Sequence, residues 1–123
     1  MKAYGLIYLV LQAAAILLWW LGLFLYPDMR AQFFPQHAIQ GGLIGWFAAD
    51  LVLVILSILA VGFARAKPRV AVVAGTAVFG GLTSPTVQCV IWAINDGLLL
   101  SAVLMFLALA GTAIAILTIA KRV

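Results

Sequence analysis

Three aspartates, Asp28, Asp50 and Asp96, are the only acidic side chains in this 123-residue chain, and His37 is its only imidazole. Of these groups, Asp50 has the most unusual setting. It stands inside an apolar run from Leu43 to Phe63 in which Leu, Ile, Val and Phe fill thirteen positions. A carboxylate at the centre of a membrane span costs about 2.5–3.5 kcal/mol. The thirteen apolar side chains, at roughly 0.3–0.6 kcal/mol each, return about 4–8 kcal/mol. The run is therefore expected to insert and to carry Asp50 with it.

An acid at that depth needs company, and the spans contain no Lys, Arg or His to supply it. Either neighbouring hydroxyls hold it as a neutral hydrogen-bonding group, or a ligand cation or a proton meets it during function. Ionisable groups inside membranes mark functional sites by default. The candidate ligand-binding set is Asp50 with Trp46 one turn before it, Thr83, Ser84, Thr86 and Gln88, Gln12, and His37. An aromatic beside an acid suits an organic cation. Structural glue between the second and third spans is the competing account of Asp50, and an interhelical hydrogen bond that of Gln12. Asp28 and Arg30, two residues apart, read as a solvated pair.

No catalytic set emerges, because no nucleophile and base stand at a recognisable spacing. A single histidine cannot build a typical zinc site or a bis-histidine haem, so neither metal nor cofactor is expected. Cys89, the one cysteine, excludes an internal disulfide and reads as an apolar filler.

Composition sets the class. The chain is 67% hydrophobic and 8% charged, against about 45–50% and 25% in soluble domains. Four apolar stretches, at about 4–26, 41–63, 70–92 and 98–120, use up its length at roughly 20 residues per span. The expected fold is all-α, a single antiparallel bundle of four transmembrane helices with no separate soluble domain. A charged start before an apolar run also describes a signal peptide. The first run is too long for one, however, and Leu25-Tyr26-Pro27 is no small-residue cleavage site.

Between the first two spans lies a longer connection, 27–40. Pro27 and Pro35 bracket a segment that could form two turns of interfacial helix, with Phe33 and Phe34 dipped into lipid. Trp19, Trp20, Phe24 and Tyr26 suggest an aromatic belt at the same boundary. Gly41, Gly45 and Ala49 make a small-residue stripe for close helix packing. Gly80, Gly81 and Pro85 suggest a kink in the third span, and Asn95-Asp96-Gly97 a tight turn into the fourth.

Six basic residues (Lys2, Arg65, Lys67, Arg69, Lys121 and Arg122) fall on one side of the spans and only Arg30 on the other. Both termini are thus expected in the cytoplasm, with a bacterial inner membrane as the setting. The net charge of +4 is scattered over helix ends, which argues against nucleic acid as a partner. Counting 1.5 Å per residue places Asp50 about 12 Å below the outer boundary, level with Thr83 and Ser84. The inner half is nearly pure hydrocarbon.

Taken together, the residues point to an outward-facing polar pocket around Asp50 that binds or transports a small cationic or apolar molecule. Two other classes stay open: an enzyme acting on a lipid or isoprenoid-like substrate from the outer leaflet, and a non-catalytic subunit of a larger complex. The expected partners are the bilayer, a small-molecule ligand and a second copy docked through Gly/Ala faces.

Overall fold

A computed structural model describes residues 4–40 and 43–121, with the backbone alone at His37 and Gln40. The chain is all-helical: α1 (Tyr4–Leu25), α2 (Pro27–Phe33), α3 (Gln36–Gln40), α4 (Ile44–Phe63), α5 (Pro68–Asp96) and α6 (Leu99–Ala120). Helices α1, α4, α5 and α6 are long and apolar enough to cross a membrane. These are the four apolar stretches of the sequence, with ends that differ by a few residues.

Local chemistry explains those ends. Pro27 cannot continue α1 but suits the first position of α2, where no N–H is needed. Phe34 is extended because Pro35 follows it, and this closes α2 after two turns. Pro68 opens α5 in the same way. At the other end of α5, Gly97 takes a left-handed conformation (φ 71°) that L side chains rarely adopt. Its N–H reaches the Ala93 carbonyl, and the helix stops there. The tight turn expected at Asn95-Asp96-Gly97 is thus a glycine cap.

The kink expected at Pro85 does not divide the third span, since α5 is one helix from Pro68 to Asp96. Hydroxyls bond within the helix around the proline. Thr83 donates to the Gly80 carbonyl at 2.6 Å and Thr86 to the Leu82 carbonyl at 2.6 Å.

Helix α1 packs on α4 and α6, and α5 packs on the same two, so the four long helices close into a ring. One end of the interior gathers Leu9 of α1, Ala60 and nearby Ala64 from the end of α4, Ala71 and Ala74 of α5, and Ala115 and Ile119 of α6. The other end gathers Trp20 and Leu23 of α1, Phe33 and Phe34, Leu43, Cys89 and Trp92 of α5, and Ala102 of α6. Outward faces are oily: Ile7, Val52, Ile55, Val73 and Leu117 are all exposed.

Small residues bring helices of this chain together, though not at the α4 stripe. Gly45 has open space around it and Ala49 is exposed, while Gly41 lies outside the described residues. Close approach occurs instead between α1 and α6. A Cβ at Gly5 would stand 3.1 Å from the Ala115 backbone.

The connection 27–40 also departs from expectation. Phe33 and Phe34 are 7% and 4% exposed, so they point into the ring rather than into lipid. Arg30 anchors this cap. Its Nε donates to the Leu23 carbonyl at 2.7 Å, one of the carbonyls left free at the end of α1. It is therefore no mere solvated partner of Asp28.

Candidate functional site

At the aromatic end the four long helices and the cap line a cavity of about 610 Å³. Its wall is mostly apolar and aromatic, with Trp19, Trp20, Phe33, Phe34, Trp46 and Trp92 among the lining residues. All four tryptophans of the chain are in that set. The rings hold one another edge to face, as their quadrupoles prefer. Trp19 meets Phe33 at 5.3 Å, Phe34 meets Trp92 at 5.6 Å, and Trp20 meets Phe47 at 5.4 Å. Bulky rings fill this end of the interior, where alanines fill the other.

Asp50 lines this cavity. Its Oδ2 accepts a 2.6 Å hydrogen bond from Nε1 of Trp20, a residue only 1% exposed. A fixed indole donor satisfies one carboxylate oxygen and orients the group. Among the described residues Oδ1 accepts no hydrogen bond, and Asp50 has no cationic partner. The side chain is half-buried, so this oxygen remains available to a ligand.

A second polar cluster sits two to three turns along α1. The Tyr8 hydroxyl donates to Gln12 Oε1, and Thr112 of α6 donates to the same oxygen at 3.2 Å. Gln12 Nε2, Trp19 Nε1 and Trp92 Nε1 are buried without a partner among the described residues. All three belong to lining residues. A buried donor left unmatched costs about 1–3 kcal/mol.

The sequence-derived set divides cleanly. Asp50, Trp46 and Gln12 line the cavity together, while Thr83, Ser84, Thr86 and Gln88 are outside its lining. Thr83 and Ser84 are exposed on the outer face of α5. Thr86 is buried, yet its hydroxyl is committed to the Leu82 carbonyl. Asp50 thus meets an indole of α1, not a hydroxyl of α5. His37 belongs to α3, and its side chain lies outside the described residues.

Sequence reasoning missed Tyr8, Trp19, Trp20, Phe33, Phe34 and Trp92. The helical period carried a signal: Leu82, Pro85, Cys89 and Trp92 recur at spacings of three and four along one face of α5. Cys89, read as a filler, is part of that wall.

Chemically the site offers one oriented carboxylate and a cage of π faces. Among the described residues no three His, Cys, Asp or Glu side chains gather as a metal site would require. No family model matches the chain, and no curated protein or solved structure does either.

Proposed function

We propose that this is a four-span membrane protein whose cavity binds a small lipophilic organic cation, as a carrier or receptor for it. The observation that carries the reading is the Asp50 carboxylate, tied to Trp20 inside an aromatic wall. A cation entering this space meets a formal negative charge where the low dielectric strengthens attraction. It also meets ring faces that attract cations at about 0.5–2 kcal/mol each. The cavity volume falls within the range of ordinary ligand pockets, about 300–1,000 Å³.

In the proposed topology the long helices alternate in direction and both termini face the cytoplasm, following the six-to-one bias of basic residues. The aromatic end and its α2 cap then belong to the outer half of the membrane. A bacterial inner membrane is the proposed location. The cage differs from a water-lined polar pocket, so the favoured ligand is one that already prefers oil.

Asp50→Asn is the direct test. Asparagine keeps an oxygen for the Trp20 N–H and removes only the charge, so the fold is expected to survive. Tetraphenylphosphonium serves as the probe, with tryptophan fluorescence of the purified protein as the readout. Its affinity should fall at least tenfold in the variant, while the thermal unfolding midpoint in detergent moves little. Equal affinity in both proteins would rule the reading out. A large loss of thermal stability with unchanged probe binding would assign Asp50 to helix packing.

A further inference from the structure

The four long helices do not contribute equally to the outside of the cavity wall. Lining residues on α4 and α5 are all buried or half-buried, as are those of the cap. The exposed ones, Leu11, Ala15, Leu104 and Leu107, belong to α1 and α6 alone. Leu11 is 61% exposed and Leu107 62%, although both line an interior space. Residues that face the cavity and the surroundings at once mark its mouth. The mouth therefore lies between α1 and α6, on the side of the ring.

Its edges are defined. At one end α1 and α6 close on each other, where Gln12 meets Thr112 and the Tyr8 hydroxyl lies 3.3 Å from the Ala108 carbonyl. At the other, the Ser101 hydroxyl donates to the Phe33 carbonyl at 2.8 Å and pins the cap across α6. From Ser101 to Ala108 is seven residues, or about 10 Å along the helix axis. The side chains that frame the opening are aliphatic. In the topology proposed above, such an opening faces acyl chains and not water, because the cap's Phe33 and Phe34 fill the end of the ring.

The geometry points to a side window through which a single-chain amphiphilic amine slips in from the bilayer, its ammonium on Asp50 and its chain lying out between α1 and α6. This rests on the reading of Asp50 as a cation site and adds the class of ligand and its route. A chain suits the window because nothing there offers a hydrogen bond, whereas the carboxylate inside demands a positive head. A ligand dissolved in the membrane also avoids crossing the aromatic cap.

The test uses the full chain in phosphatidylcholine vesicles and hexadecylamine carrying a diazirine in mid-chain. After photolysis, adducts are mapped by mass spectrometry. Label is expected on Leu11, Ala15, Leu104 and Leu107 at least fivefold above the exposed Val52, Ile55, Val73 and Val87, and is suppressed by excess unlabelled hexadecylamine. Ala15→Phe should cut the label on Leu104 and Leu107 several-fold, whereas Val87→Phe on the outer face of α5 should leave it unchanged. Label spread evenly over all four helices, or confined to α2 and α3, overturns the window. Tetraphenylphosphonium binding that depends on Asp50 together with evenly spread amine label would retain the cation site and reject the window. Window label that persists in Asp50→Asn would reject the ammonium contact, and with it the amine as the ligand class.

Discussion

Where α1 begins and α6 ends, the interior is filled by Ala60, Ala64, Ala71, Ala74 and Ala115, with Leu9 and Ile119. Where α1 ends and α6 begins, it is filled by Trp20, Phe33, Phe34, Trp92 and Leu23. Both regions are buried, yet they do opposite things to helix spacing. Small residues let helices approach, since a Cβ added at Gly5 would stand 3.1 Å from the Ala115 backbone, and in the proposed membrane setting lipid offers no hydrophobic drive that would replace such contact. The rings at the other end line the cavity rather than fill it. The same helices are thereby clamped at one end and propped open at the other. The clamped end holds the fold, and the propped end holds the cavity.

The largest expected effect comes from removing a prop. Phe34 touches Trp19, Trp20, Trp46 and Trp92, so it joins all four tryptophans of the chain. Phe34→Ala should cost about 3 kcal/mol, the low end for a buried phenylalanine, since the neighbouring cavity lets the site relax. Unfolding in mixed detergent micelles would measure it. A loss below about 1 kcal/mol would mean that the cap is not packed and that the aromatic end is propped by the helices alone.

Next comes the clamp. Ala115→Leu inserts three carbons where a Cβ on the facing Gly5 already has no room, and such overpacking costs about 1–3 kcal/mol. The identical change at Ala102, in the aromatic cluster, should cost clearly less. Equal costs at the two positions would erase the distinction between a tight end and a wide one.

How far this contrast could be read in the sequence depends on which coordinate of a helix is asked for. Position along the axis is legible: the four apolar runs are the four long helices. Rotation about the axis is not. A soluble helix betrays its inner face by its polar outer one, but in α5 an exposed Val87 and a buried Leu82 are equally oily. Thr83 and Ser84 were therefore grouped with Asp50 by depth alone. Trp20 was ambiguous for a related reason, since tryptophan marks both membrane boundaries and packed interiors. Phe33 and Phe34 likewise suit lipid or core, and only the fold of the Pro27–Gln40 connection over the ring decides. Asp50 itself was legible because a charge in a span has few places to go.

The smallest expected effect is the most discriminating. Gln12 sits at the boundary between clamp and cavity, and its Oε1 receives the hydroxyls of Tyr8 and Thr112. On that count it should be glue between α1 and α6. Its Nε2, however, is buried with no partner among the described residues, and in the proposed membrane setting no bulk water relieves it. Gln12→Leu removes that unmatched donor along with the acceptor. The two hydroxyls have alternatives: Tyr8 has the Ala108 carbonyl at 3.3 Å, and Thr112 can turn back to a carbonyl of its own helix, as Thr76 and Thr118 do. Gains and losses of about 1 kcal/mol each then nearly cancel, so unfolding stability should change by less than about 1 kcal/mol. A loss above 2 kcal/mol would make Gln12 part of the clamp. Near-neutral stability would leave the buried amide without a structural purpose, and place the lower edge of the window with the cavity instead of the scaffold.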